Sequence, residues 1–293
     1  MNRYAVVAAA MFYAAAVFAV PPQHVIIIGC DGMSPDGVTQ ANTPFMDGMM
    51  REGAWTLHAR GVMPTSSSPN WASMIMGAGP EQHGVTSNDW EIDKFEIAPT
   101  VKDDSGRFPT IFALLKQQKP GATGAVFHDW DGFGRLLNRS DVVEMQDCDG
   151  PAKTTEAAIA YIKEHKPTLT FIHLDHVDHA GHEVGHGTPE YYAAVEEADN
   201  YIGQVLQACA EAGIAADTTI LVTADHGGVA KGHGGATMAE IEIPWILAGS
   251  GVKRGVELTS SVNTYDTAAT VAFLLGLTPH PNWIAKVTAE ALE

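Results

Sequence analysis

The chain has 293 residues, 45% of them apolar and 18% charged, which are the proportions of a folded globular protein rather than a disordered one. Its 35 acidic against 17 basic side chains leave a formal charge of −18. With no lysine- or arginine-rich run to offset that imbalance, tracking along a nucleic-acid polymer is excluded, and an anionic substrate would need its counter-charge from bound metal.

The chain opens MNRYAVVAAAMFYAAAVFAVPP. Arg3 supplies a short positive segment, and the apolar run Tyr4 to Phe18 is too short for a comfortable membrane span. Val17 and Ala19 place small residues at the cleavage positions, so residues 1–19 are expected to be a secretory signal cut after Ala19. The alternative is an uncleaved anchor. Cleavage leaves one domain, 20–293, in the periplasm or secreted, with no stable membrane span. Cys30, Cys148 and Cys209 form an odd, widely spaced set that suits packing and not a disulfide framework.

HVIIIGC (24–30) is the first of five continuous apolar runs of strand length. ATGAVF (122–127), TLTFIHL (168–174), TTILVTA (218–224) and PWILAG (244–249) are the others. Continuous apolarity marks strands buried on both faces. Between them lie the helical patterns 110–118, 154–165, 189–213 and 264–276. The alternation predicts an α/β sandwich around a mostly parallel sheet, whose ligands gather at the carboxyl ends of the strands. Three polar clusters fall at such ends: Asp31 after the first run, HLDHVDHAGHEVGHG (173–187) after the third, and Asp225-His226 after the fourth.

The stretch 173–187 holds five of the chain's 13 histidines and two aspartates, a density that points to metal. Two D-x-x-x-H frames fit it, Asp175 with His179 and Asp178 with His182, because one helical turn puts either pair on a common face. In TADHGGVAKGHGG (223–235), Asp225 and His226 are neighbours and would point to opposite faces of a strand. Both reach one ion only where the strand breaks, which Gly227-Gly228 allow, and His233 follows in a second glycine-flanked turn. In PTSSSPNWASMIMGAGPEQHGVTSNDW (64–90), three serines precede a helix start. A hydroxyl there is either an N-cap or a nucleophile activated by the helix terminus and nearby cations.

Taken together these segments resemble the alkaline phosphatase superfamily, and most closely its type I phosphodiesterase/nucleotide pyrophosphatase branch. IIIGCDG is similar to the family's first strand and metal-binding Asp, TSSSPN to T-x-T-F-P-N, EQHGVTSN to E-S-H-G-x-x-x-N, DHAGH to D-x-x-G-H, and TADHGG to its D-H-G motif. The resemblance implies a three-layer α/β/α sandwich. It also implies two zinc ions, one held by Asp178, His182 and His233 and the other by Asp31, Asp225 and His226 with Ser67. D-x-x-G-H selects the Asp178/His182 frame and leaves Asp175, His176 and His179 in supporting roles, with His173 a core histidine. The nucleophile lies two residues before the Pro, which selects Ser67, a serine where the family has threonine. Asn88 becomes the phosphate-binding asparagine, while Asn70 belongs to the turn.

The implied reaction is hydrolysis of a small phosphodiester or pyrophosphate through a phospho-serine. Alkaline phosphatase activity on monoesters is the alternative, and there Lys231 or Arg135 would supply the extra cationic contact. A sulfatase is disfavoured because Trp71 stands where the C/S-x-P-x-R maturation motif requires arginine. In FHDWDGFG (127–134), Trp130 and Phe133 are candidates to stack on the leaving group, with Lys231 a further substrate contact. A non-catalytic metal-stabilised binding protein would require loss of the nucleophile or ligands, and all seven expected positions are filled.

Overall fold

The computed structural model describes residues 21–293, so the expected signal segment, 1–19, lies outside it. In chain order the strands are β1 (His24–Cys30), β2 (Gly53–Arg60), β3 (Gly124–His128), β4 (Glu144–Asp147), β5 (Leu169–Leu174), β6 (Thr218–Thr223), β7 (Glu242–Gly249) and β8 (Val256–Glu257). They form one sheet in the order β4-β3-β5-β1-β6-β7-β2-β8. The strands β1, β3, β5 and β6, read from apolar runs, are buried almost throughout. β1 lies between β5 and β6, parallel to both, with Ile27 opposite Phe171 on one side and Leu221 on the other.

Helices pack in two sets. Pro44–Glu52, Pro151–His165, His176–Val184 and Pro189–Glu211 contact one another, while Ser67–Met76, Ile111–Gln118 and Asp266–Leu274 form a second group. With a helix layer on either face, the α/β/α sandwich matches the expectation. Two features differ from it. The PWILAG run lies in β7, which is antiparallel to both β6 and β2. β2, β4 and β8 carry no continuous apolar run: β2 alternates buried and half-exposed residues, and β4 is a polar edge strand. Among the described residues no helix is long and apolar enough to cross a membrane.

Candidate metal centre

β1 ends in Asp31, which is fully buried and held in line by Asp31 N–H donating to the Leu174 carbonyl at the end of β5 (2.9 Å). The next residue explains the Asp-Gly pairing. Gly32 has φ +67°, its N–H donates to Asp225 Oδ1 (3.1 Å), and a Cβ there would lie 2.8 Å from the Asp178 backbone. No side chain fits at this crossing of three segments. β6 ends at Thr223, so Asp225 and His226 sit past the strand, where backbone freedom lets both side chains face Asp31. His226 Nε2 lies 3.3 Å from Asp31 Oδ1 and 3.2 Å from Asp225 Oδ2.

The second half-site begins on the helix His176–Val184. Asp178 and His182 are one turn apart on one face, Asp178 buried and His182 half-exposed, with Oδ2 and Nε2 3.2 Å apart. His179 instead points to solvent and pairs with Glu183 (3.2 Å), and His176 Nε2 approaches the Ala194 carbonyl (3.1 Å). His233 arrives from the glycine-flanked turn, Nε2 3.2 Å from that of His182 and 3.8 Å from Asp178 Oδ1. Its ring stacks on His226 with centroids 3.7 Å apart, so the two half-sites share a wall.

Orientation of the imidazoles tests whether this donor set fits metal. Nδ1 of His182, His226 and His233 lies 3.0, 2.8 and 2.8 Å from the carbonyls of Lys231, Gly227 and Thr65. A carbonyl only accepts, so each ring carries a proton on Nδ1 and leaves Nε2 as the atom turned toward the carboxylates. Two such Nε2 atoms 3.2 Å apart repel unless a proton or a cation lies between them. The buried oxygens Asp178 Oδ1 and Asp225 Oδ2 accept no hydrogen bond, which is costly without a cation. Burial, then the charge of Asp31, pushes Asp178 up to about 6 and Asp225 well above the usual carboxylate range. Burial and the neighbouring His226 push His233 down to about 4, leaving it neutral as a ligand must be. Burial would lower His226, but Asp225 and Asp31 hold it up to about 10, so these carboxylates favour a positive charge at Nε2, a proton that a bound cation would have to displace. Three carboxylates and three inward-facing imidazoles are a zinc-type donor set.

Beside them stands Ser67, the first residue of the fully buried helix Ser67–Met76, with Oγ 3.5 Å from Asp31 Oδ1 and 3.3 Å from His226 Nε2. Ser68 N–H donates to Asn88 Oδ1 (2.8 Å), which leaves Asn88 Nδ2 without a hydrogen-bond partner among the described residues. Asn70 braces the approach loop, accepting from Val62 N–H (2.6 Å) and donating to the carbonyls of Ser66 (2.9 Å) and Pro64 (3.2 Å).

Residues 25–233 match the family described as type I phosphodiesterase/nucleotide pyrophosphatase. The chain belongs to that family. It is 24% identical over 196 residues to human ectonucleotide pyrophosphatase/phosphodiesterase family member 1, covering 63% of this chain and only 21% of that protein. In structure it resembles murine ectonucleotide pyrophosphatase/phosphodiesterase 5, with TM-score 0.77, 16% identity, and coverage of 92% of this chain and 100% of the other. A variant of alkaline phosphatase PafA superposes with TM-score 0.78 and 11% identity, covering 94% of this chain and 100% of that one.

Within this phosphodiesterase-family chain, several residues that sequence reasoning left in the background support the centre. Trp71 fills the position of the sulfatase arginine: its Nε1–H donates to Asp31 Oδ2 (2.9 Å) and its ring meets Phe133, Phe171 and His173 edge-on. Gly29 in β1 makes room for it, since a Cβ would lie 2.5 Å from Trp71 Cη2. His173 is a core histidine with an added task, bridging Asp31 (3.2 Å) and Asp129 (3.4 Å). Burial lowers it, but those two carboxylates hold it up to about 10, and the paired Asp31 stays far below the usual range despite its burial. Burial and the facing acids push Asp175 up to about 7. The ring of His186 is wedged between the ligand segments, 2.4 Å from a Cβ at Gly181 and 2.1 Å from one at Gly228, so both motif glycines are steric necessities.

The expected substrate contacts are placed unevenly. Phe133 departs from the expectation: it is fully buried against Phe171, centroids 4.6 Å apart, and presents no face to a ligand. Trp130 is half-buried and stacks toward His173 (6.1 Å). Lys231 Nζ donates to the Glu183 carbonyl (2.7 Å), and Arg135 donates to Glu91 (2.7 Å) and to the Asn88 carbonyl (3.1 Å). Both cations are engaged as braces.

Proposed function

We propose that the chain is an exported phosphoric ester hydrolase that holds two zinc ions and cleaves a small phosphodiester or pyrophosphate through a covalent phospho-serine. The observation that carries it is the approach of His182 and His233 Nε2 to 3.2 Å, each ring with its Nδ1 turned to a carbonyl, beside a serine hydroxyl that touches the other half-site. Asp178, His182 and His233 would hold one ion, and Asp31, Asp225, His226 and Ser67 the other. Bound zinc supplies Lewis-acid charge to the attacking and leaving oxygens.

Ser67 Oγ gives up its proton to solvent in the field of the helix terminus and attacks phosphorus, forming the Ser67 O–P bond as the bond to the leaving oxygen breaks, and the leaving alkoxide takes up a proton from solvent. Asn88 Nδ2–H, held by the Ser68 N–H contact, donates to a non-bridging oxygen. Water then cleaves the Ser67 O–P bond, releasing the phosphoryl product and restoring the hydroxyl. Trp130 offers a half-buried ring for the leaving group. Because Lys231 and Arg135 are bound elsewhere, neither serves as a clamp for the second charge of a monoester, which supports the diester reading. The test is the rate with a phosphate monoester and a diester that share one leaving group, with and without added zinc. Diester preference that depends on zinc is expected. A much faster monoester would make the enzyme an alkaline phosphatase, and indifference to zinc would sink the metal assignment.

A further inference from the structure

Ser67 touches the half-site of Asp31, Asp225 and His226, whereas His233 belongs to the half-site of Asp178 and His182. One residue joins the two. Thr65, fully buried two positions before Ser67, accepts the His233 Nδ1–H at its carbonyl (2.8 Å) across 168 positions of sequence. Its hydroxyl donates to the Gly235 carbonyl (2.8 Å) and accepts from Gly234 N–H (3.0 Å). Gly234 sits at φ +104°, a conformation that suits glycine and turns its N–H to Thr65.

The far side of this turn is held too. Gly235 N–H donates to Glu240 Oε1 (2.8 Å), and the Glu240 carbonyl accepts from Gly227 N–H (3.0 Å), next to His226. His226 Nε2 returns to Ser67 Oγ at 3.3 Å. Contacts therefore run in a closed circuit around both half-sites, and the Thr65 hydroxyl makes two of them. Without that hydroxyl, Gly234 N–H and the Gly235 carbonyl, which lie in a partly exposed turn, would turn to water instead of to the buried Thr65, and the His233 turn would lose its tie to the nucleophile loop.

We propose that Thr65 is a positioning residue whose hydroxyl sets the separation between Ser67 Oγ and the Asp178/His182/His233 half-site. The inference rests on the two-metal function proposed above. In-line displacement needs the nucleophile and the leaving oxygen at a fixed spacing, so a small drift of one half-site lowers the rate at bound substrate.

Thr65→Val keeps the shape and the backbone carbonyl but removes the hydroxyl, and Thr65→Ser restores it. Zinc affinity is read without substrate, by competition with a chromophoric chelator, next to kcat and KM for a diester. In Thr65→Val one of the two zinc equivalents should weaken by about 10- to 100-fold, with a comparable fall in kcat and little change in KM. Thr65→Ser should return both to wild-type values. Wild-type affinity and kcat in Thr65→Val would overturn the proposal. So would equal weakening of both equivalents with a matching drop in the melting temperature of the chelated protein, which marks a merely structural role. If the wild type binds two zinc ions but hydrolyses no diester, the functional reading fails while the zinc titration still decides Thr65. A wild type that binds no zinc sinks both.

Discussion

Three adjacent serines precede Pro69, and their surroundings separate them. Ser66 makes no side-chain cap hydrogen bond, Ser68 contributes its backbone N–H to Asn88, and only Ser67 turns its hydroxyl to Asp31 and His226. Ser67→Ala should therefore lower kcat by several orders of magnitude and abolish trapping of a phospho-enzyme on rapid quench, while elemental analysis still finds the metals. Ser66→Ala and Ser68→Ala should cost far less; a larger loss in either would move the nucleophile. Asn88→Ala should cost about 10²-fold in kcat, the usual loss for one oxyanion donor. A second residue of the same motif, His83, is structural. Val85 N–H donates to its Nδ1 (3.1 Å), so its proton sits on Nε2 and reaches Ser73 Oγ (2.9 Å), which donates on to the Pro69 carbonyl (2.8 Å). This chain ties the Asn88 segment to the nucleophile helix. Burial pushes His83 down to about 3 from 6.5. The folded state thus refuses a proton that the unfolded chain accepts, so stability is intact above pH 6.5 and falls as pH drops from there toward 3. The slope from one such group is at most about 1.4 kcal/mol per pH unit. Urea unfolding of His83→Gln should show a shallower acid-side decline than wild type; parallel declines would refute the assignment.

At the scale of elements, sequence legibility followed the kind of signal each element carries. β1, β5 and β6 are apolar throughout because both faces are covered, and they were readable with the acidic and imidazole clusters at their ends. β2 and β4 were not, since an alternating near-edge strand and a polar edge strand lack that run. The direction of β7 was also hidden, because burial of PWILAG is the same in either orientation. The histidine-rich helix shows the limit most clearly: spacing alone fits both D-x-x-x-H frames, the family resemblance favours Asp178 with His182, and the fold turns His179 outward to Glu183. Gly29 was illegible for a related reason, its partner Trp71 being brought against it by tertiary packing. Gly29→Ala should cost about 1–3 kcal/mol through overpacking and should also lower activity by tilting the indole off Asp31. In a Trp71→Phe background, which lacks the clashing Cη2 and Cζ3 atoms, the stability cost of Gly29→Ala should shrink. Equal costs in the two backgrounds, measured as a double-mutant cycle, would show that the clash is relieved elsewhere.

For the molecule as a whole, the sheet converges carboxylates that repel one another. Asp31 follows β1, Asp129 follows β3, Asp175 and Asp178 follow β5, and Asp225 follows β6, all of them largely buried. Asp31 is compensated by His173 and Trp71, whereas Asp178 and Asp225 each keep a buried oxygen without a donor. The chain's formal charge of −18 offers little relief nearby. Ions bound at this point would join the ends of β1 and β6, the helix after β5 and the Ser67 helix, elements far apart in sequence. Their binding free energy therefore becomes folding free energy, because the unfolded chain has no such site. A ligand at 100 times its Kd adds about 2.7 kcal/mol, which is worth several degrees in Tm for a domain of this size. Chelation should lower the melting temperature by at least that much, and two equivalents of zinc per chain should restore it. Ser67→Ala should keep most of the restoration, whereas His182→Ala and His233→Ala should each lose roughly one equivalent and part of the Tm gain. His179→Ala should behave as wild type. Identical melting curves with and without chelator would contradict a metal-braced sheet edge, and loss of an equivalent in His179→Ala with retention in His182→Ala would select the other frame.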